Sequence, residues 1–291
     1  MSESFPNPSR EQPLRWVSTE WLSDRLDDDL LILDVQSDIH DYLLEHIPGA
    51  VYLNEKFIRA WMETRPVVFM PPDAVTHYFR RVGVTRERPV VVYTGKGRFR
   101  GWGDGLEQTM VAYSLARYGH DRVLILDGGL DHWTAEGKET SQLFPVVEEG
   151  EFETTERAEY FIEYDEFVRV KDRDDVIVLD ARPSEFYEGR GPWGRPGHIP
   201  GALSLPWPTF MEKGNRTKLI PREEMISILE ERGIEREKTI ICTCGTGREA
   251  TAEFTLLKWY LDYPDVKINE GSFTEWISYP DNPTVVGKNP Y

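Results

Sequence analysis

An α/β protein made of two tandem parallel-sheet domains is what this sequence predicts, and three observations carry that prediction. The pentapeptide His-Ile-Pro-Gly-Ala occurs at His46–Ala50 and again at His198–Ala202, 152 residues further on. Short apolar runs of strand character recur in the same order in both halves. Segments with helical spacing separate those runs, the alternation that a parallel sheet covered by helices requires. A five-residue match inside so short a chain is a signal of internal duplication. At 291 residues the chain is long for one core and comfortable for two.

The elements follow in order. Residues 1–14 are polar and read as a flexible arm, and the two prolines among the first twelve residues with no apolar stretch argue against a secretory signal. Leu30–Val35 reads as a buried strand and His46–Ala50 as a turn. A helical region around Ala74–Val82 and a second buried run, Val90–Tyr93, come next. Leu106–Tyr118 has helical spacing, Val123–Leu126 is a third strand, and Gly128–Gly129 follows it. Residues 15–137 thus form a first domain. Gly137–Arg157 is acidic and aperiodic, which marks residues 138–158 as a linker. In the second domain, residues 159–291, Val176–Asp180 matches the first strand and His198–Ala202 repeats the turn. Met225–Arg232 reads as helix, Thr239–Thr243 and Val266–Ile268 as strands, and Gly271 matches Gly128.

The spacings locate the insertions. Thr94 and Cys244 lie 150 residues apart and Gly128 and Gly271 lie 143 apart, so the first half carries seven extra residues, placed within Lys96–Glu107. The second half is longer by six between its first strand and its turn, around Gly189–Gly197. The first insertion is glycine-rich, but it lacks the Gly-x-Gly-x-x-Gly order and a Walker lysine, so it reads as a loop and not as a nucleotide site.

Composition narrows the function classes. A formal net charge of −17 opposes nonspecific nucleic-acid binding and makes any anion site a positive island. No stretch approaches the ~20 apolar residues of a membrane helix. Only two cysteines occur, Cys242 and Cys244, and their spacing makes no disulfide framework, which points to a reducing cytosol. The six histidines show no metal-ligand spacing. No metal and no cofactor is expected.

Both cysteines fall where Thr239–Thr243 breaks into Cys244–Gly245–Thr246–Gly247–Arg248–Glu249 and then into an amphipathic segment, Ala250–Leu261. A thiol at the mouth of a strand–loop–helix turn faces backbone N–H groups and the positive end of a helix dipole. Those conditions favour the thiolate. Cys244 is therefore the candidate nucleophile, against the alternative of two unreactive cysteines buried at a strand end. Aligning the halves puts Thr94 opposite Cys244, so the second domain is read as the active copy and the first as scaffold. Cys242 aligns with Val92 and reads as a core residue. Arg248, a cation in the first helical turn, is read as an anion ligand; Glu249 suits the dipole and caps the helix.

The tandem repeat, Gly197–Ala202, Asp180–Ala181–Arg182 and Cys244–Gly247 together resemble the two-domain rhodanese family of thiosulfate and 3-mercaptopyruvate sulfurtransferases, over residues 15–286. The segment Glu270–Trp276 is similar to a motif near the end of thiosulfate sulfurtransferases. The resemblance implies a ping-pong reaction. Cys244 takes the outer sulfur of a small anionic donor such as thiosulfate, and the resulting persulfide passes it to cyanide or a thiol, with a protein acceptor also open. Gly245, Thr246, Gly247, Arg248 and Glu249 would cradle the persulfide with their amides, and Arg182 matches the family's substrate-pocket arginine. Mercaptopyruvate-type members carry a second arginine where this chain has Phe186, which favours thiosulfate. Glu249 stands where relatives commonly have Arg or Thr, and a carboxylate there repels an anionic donor. A relay of sulfur from a protein partner is the alternative function. Asp180 and His198 are read as structural, Arg190 and Arg195 as loop charges. A rival phasing, Cys242 to Arg248 as C-x-x-G-x-x-R, resembles the phosphate loop of protein tyrosine phosphatases, although Glu249 replaces the usual Ser or Thr.

Overall fold

Each half of the sequence builds its own all-parallel sheet. The structure, a computed structural model, describes residue 6, residues 8–62 and residues 65–291; the rest of the expected N-terminal arm, residues 1–5 and 7, lies outside the described residues. The first half contains β1 (Leu14–Val17), α1 (Thr19–Ser23), β2 (Leu31–Asp34), α2 (Ile39–Leu44), β3 (Val51–Tyr52), β4 (Arg59–Met62), β5 (Arg65–Phe69), α3 (Pro72–Arg81), β6 (Val90–Tyr93), α4 (Leu106–Arg117), β7 (Val123–Leu126) and α5 (Gly129–Ala135). The second contains α6 (Tyr164–Val170), β8 (Val176–Asp180), β9 (Leu203–Ser204), β10 (Met211–Glu212), β11 (Asn215–Leu219), α7 (Arg222–Glu231), β12 (Thr239–Thr243), α8 (Glu249–Thr255), β13 (Val266–Ile268) and α9 (Ser272–Ser278).

The first sheet has the order β1-β7-β6-β2-β3 and the second β13-β12-β8-β9. Strands buried on both faces must be apolar throughout, and that is why β6 (VVVY) and β7 (VLIL) read as unbroken runs instead of alternating ones. Leu14 corrects the expected arm by one residue: it is fully buried and opens β1, which pairs with β7. No helix among the described residues is long and apolar enough to cross a membrane.

The domain boundaries differ from the sequence expectation. One compact unit comprises the chain up to Arg59, Met70–Arg157 and Met211–Leu219; the other comprises Ala60–Phe69, Ala158–Phe210 and Ile220–Tyr291. The β10–β11 hairpin belongs to the first unit because Asp127, just past β7, holds it. Lys218 Nζ lies 2.6 Å from the Asp127 carboxylate and the Leu219 amide donates to the same group at 2.9 Å. Nor is the expected linker at 138–158 loose. Phe152 is fully buried, and the amides of Gly150, Thr155 and Arg157 donate to Arg80, Tyr118 and Arg117 carbonyls at 2.8–2.9 Å.

The duplication extends to side-chain detail. In the first unit Tyr42 stacks on His46 at 4.1 Å, its hydroxyl donates to Ala50 O, and the two imidazole nitrogens face Tyr42 O and Leu143 O. In the second, Tyr187 stacks on His198 at 3.5 Å, its hydroxyl donates to Ala202 O, and the imidazole nitrogens face Tyr187 O and Asn289 O. The repeated histidine therefore sits between the turn and the chain on either side, with both nitrogens turned to main-chain carbonyls. Burial lowers the His198 pKa and favours the neutral ring, which donates to one of those carbonyls. Replacing His198 by Ala leaves that carbonyl short of its donor, and we expect a loss of about 1–3 kcal/mol in urea denaturation of the second unit.

Candidate active site

The site forms where β8 and β12 end side by side. Thr243 is in register with Asp180, and beyond that register the chains continue into Cys244 and Arg182. Crevices at the carboxyl ends of adjacent parallel strands are where such sheets bind ligands. The loop that starts at Cys244 is fastened by the segment after β13. Phe273 and Thr274 amides donate to Cys244 O and Gly245 O at 3.0 Å each, and Thr274 Oγ1 adds a 2.6 Å bond to Gly245 O. Gly247 has φ +79°, and a Cβ there would press on Glu270 O, so only glycine fits.

Around the Cys244 sulfur the chain places donors. The amides of Thr246 and Ala250 donate to Sγ. Ser272 Oγ accepts from the Cys244 amide at 3.0 Å, and its own proton lies between Asn269 O at 2.7 Å and Sγ at 3.8 Å. Ser272 holds a left-handed φ of +52°, a conformation that costs a non-glycine residue energy and that clusters at functional sites. Ala250 and Ser272 extend the donor set expected from the loop itself; the sequence signal for Ser272 was its place in the Glu270–Trp276 motif.

Cys244 does not lie in surroundings that favour the expected thiolate. It is fully buried, and burial, followed by the charge of Glu249 and a hydrogen bond from the thiol to the Glu249 carboxylate, pushes its pKa well above the ordinary value; the two amides oppose this without prevailing. Glu249, read from sequence as a helix cap, is the acidic residue of the first turn of α8, and its charge adds to the rise in the thiol pKa.

Arg182 is also fully buried, and most of its donors are already engaged. Nε and Nη2 clasp the Asp180 carboxylate at 2.6–3.1 Å, and Nη2 also reaches Gly197 O at 3.0 Å. Nη1 is its one donor with no partner among the described residues. The guanidinium sits 4.2 Å from the Phe273 ring centre and 4.9 Å from that of Trp193. Trp193 lies over Gly245, where a Cβ would collide with its indole, and donates to Thr274 Oγ1 at 3.1 Å. The insertion expected at Gly189–Gly197 thus delivers an aromatic cover to the Cys244 loop, and the sequence reading of its arginines missed this. Arg195 anchors the insertion to the carbonyls of Tyr279, Pro280 and Asn282, and Arg190 pairs with Glu188 at 3.0 Å. Phe186 packs edge-on against Trp193 at 5.7 Å.

Helix α8 is not amphipathic as expected: every residue from Ala250 to Thr255 is buried. Glu253 is among them. Neither of its carboxyl oxygens has a hydrogen-bond partner among the described residues, and burial, with the charges of Asp180 and Glu249, drives its pKa well up against the opposing charge of Arg232. Cys242 is a fully buried interior residue of β12, opposite Leu179 and Ile268. The Cys242–Arg248 phosphate-loop phasing therefore begins inside a strand. In the first unit Thr94 occupies the thiol's place, its hydroxyl donating to Glu107 at 3.4 Å. Arg98 and Arg100 of that unit's insertion lie 3.4 Å from Glu45 and 3.9 Å from Asp38.

The chain matches the rhodanese-like domain twice, at residues 18–136 and 163–279. It is 33% identical, over 90% of its length and 82% of the relative, to the "Putative thiosulfate sulfurtransferase" of Synechococcus elongatus. It is 28% identical, over 94% and 96% of the two chains, to the sulfur carrier protein TtuD of Thermus thermophilus. The crystal structure of SseA from Escherichia coli, a 3-mercaptopyruvate sulfotransferase, superposes with a TM-score of 0.77 at 26% identity, covering 89% of this chain and 98% of SseA.

Two outcomes follow from the geometry. Trp193→Ala removes the cover over Gly245, and we expect Cys244 to be alkylated by iodoacetamide several-fold faster in the variant, read by peptide mass mapping. Glu253 retains its proton in the native state at pH values where the unfolded chain has released it. It therefore contributes most favourably below the ordinary carboxyl range, and stability is lost as pH rises toward its native pKa. Glu253→Gln lacks this titration, so the melting temperature of the variant relative to wild type should climb as pH is raised above the ordinary carboxyl range.

Proposed function

The chain belongs to the rhodanese-like family, as a two-domain sulfurtransferase, and from that premise we propose that it carries the sulfane sulfur of thiosulfate to a nucleophilic acceptor through a persulfide on Cys244. The observation that carries this reading is the set of donors converging on one sulfur: the Thr246 and Ala250 amides and the Ser272 hydroxyl. In the first half-reaction the Cys244 thiolate forms a bond to the outer sulfur of thiosulfate. The sulfur–sulfur bond of the donor breaks, and sulfite leaves with the electron pair. The product is an anion on the terminal sulfur, and preorganised amides stabilise such a charge without reorganising. The loop Gly245–Thr246–Gly247–Arg248–Glu249 encloses it, and the unpaired Nη1 of Arg182 is the donor left for the substrate. In the second half-reaction cyanide or a thiol takes the terminal sulfur and Cys244 is released. Phe186, where mercaptopyruvate-type members carry an arginine, supports thiosulfate over a 2-oxoacid, as does the Synechococcus relative. Two free cysteines suit a reducing cytosol.

A second reading is a relay, with a protein persulfide as donor or a protein as acceptor. The charge of Glu249, which bears on the thiol, favours it, because a carboxylate there opposes a free dianion, and the Thermus relative is named a sulfur carrier. Intact-mass measurement after thiosulfate treatment tests the main reading. Wild type and Cys242→Ala should gain one sulfur atom, and Cys244→Ala none; a gain that follows Cys242 contradicts it. Thiocyanate formation from thiosulfate and from 3-mercaptopyruvate separates the donors, and turnover no faster than a free thiol with both would favour the relay.

A further inference from the structure

We propose that Thr274 is a positioning residue for sulfur transfer: it sets the direction of the Gly245–Thr246 peptide, so that the N–H of that peptide points into the Cys244 loop. The inference rests on the persulfide reading above and adds to it a residue outside the loop.

The carbonyl of Gly245 is held on Thr274. It accepts from the Thr274 amide at 3.0 Å and from the Thr274 hydroxyl at 2.6 Å, which occupies both of its lone pairs. The hydroxyl is committed in turn, because the Trp193 indole N–H donates to it at 3.1 Å. A planar trans peptide carries its N–H on the side opposite its C=O. With the carbonyl fixed on Thr274, the Thr246 N–H faces away from that residue and towards the loop interior. The preceding carbonyl, Cys244 O, is fastened to the same segment by the Phe273 amide at 3.0 Å.

The first unit carries a different residue at this position, and its peptide is turned over. The Leu130 amide donates to Thr94 O at 2.8 Å, as Phe273 does to Cys244 O, so the two loops start alike. Asp131 then stands where the second unit has Thr274, at the spacing that relates Gly128 to Gly271. A carboxylate has no proton to give and takes the N–H instead: the Lys96 amide, next after Gly95 as Thr246 is after Gly245, donates to Asp131 Oδ2 at 2.9 Å. The same peptide therefore presents its N–H to an acceptor in the first unit and its C=O to a donor in the second. Only the second arrangement leaves that amide for a sulfur. Two donors on Gly245 O also polarise the peptide, and a polarised N–H is the stronger donor. Because the amide is set in advance, nothing has to reorganise when sulfite leaves and negative charge settles on the terminal sulfur.

The test compares Thr274→Val, which removes the hydroxyl at equal size, with Thr274→Ser, which keeps it. Gly245–Thr246 is the one Gly-Thr dipeptide in the sequence, so protein isotope-labelled at glycine carbonyl carbons and threonine amide nitrogens gives a single carbonyl–amide cross-peak by NMR. In wild type that peak should shift when thiosulfate loads Cys244. In Thr274→Val the carbonyl resonance should move upfield, and the loading rate read by intact mass should fall about three- to ten-fold, the worth of one hydrogen bond. Thr274→Ser should restore both. Trp193→Phe, which keeps a ring over Gly245 but has no N–H, should show a smaller loss of the same sign. A Thr274→Val protein that loads as fast as wild type, or a loss that Thr274→Ser does not restore, overturns the inference. If wild type itself gains no sulfur on Cys244, the persulfide reading fails and takes this one with it; if wild type loads and Thr274→Val loads equally fast, only this inference fails. Should Thr274→Val prove unfolded by circular dichroism, Trp193→Phe carries the comparison, and a loading rate and cross-peak equal to wild type overturn the inference there.

Discussion

A sulfur atom with no exposure to solvent can carry charge only if its immediate neighbours supply what water would have supplied. That constraint organises the second unit. The loop after β12 turns its Thr246 and Ala250 amides onto Cys244, and it holds that shape because the segment after β13 fastens it from behind. The segment in turn is pinned at Ser272, whose left-handed backbone lets Oγ serve Cys244 and Asn269 together. Each of these contacts is modest, but together they define one position for a terminal sulfur.

Beside this ring stands a second buried charge with its own compensation. Arg182 is closed onto Asp180 and sandwiched between Phe273 and Trp193. A buried pair of this kind repays its desolvation only with good geometry and further hydrogen bonds, and here Gly197 O supplies one. Its consequence is positional: the guanidinium fixes Trp193, and Trp193 covers Gly245. The Gly189–Gly197 insertion, longer in this half than its counterpart in the first, thus bears on access to the thiol. The first unit keeps the frame with other side chains in it, with Gln36 donating to Asp34 and Thr94 in the place of the cysteine.

Much of this was legible in the sequence because it is written in local pattern. The central strands of both sheets are continuous apolar runs, and β6, β7, β8 and β12 fall where those runs fall. The repeated pentapeptide marked the same turn twice, and His198, read as structural, turns both ring nitrogens to main-chain carbonyls. The parts that were not legible depend on contacts between distant segments. Nothing local in Asn215–Leu219 indicates that Asp127 will hold it. Glu253 occupies a position that helical spacing assigns to solvent, and only the packing of α8 shows it sealed. The surroundings of Cys244 were misread for the same reason. Loop amides and a helix start can be read from sequence, but the depth of burial cannot, and burial with the charge of Glu249 outweighs the amides.

The central claim concerns where a transferred sulfur rests. A crystal of the wild-type protein soaked in thiosulfate addresses it most directly. The account predicts additional density bonded to Cys244 Sγ, within hydrogen-bond distance of loop amides from the Thr246–Ala250 turn. Density on Cys242, or an unmodified Cys244 beside sulfur bound elsewhere, would contradict it.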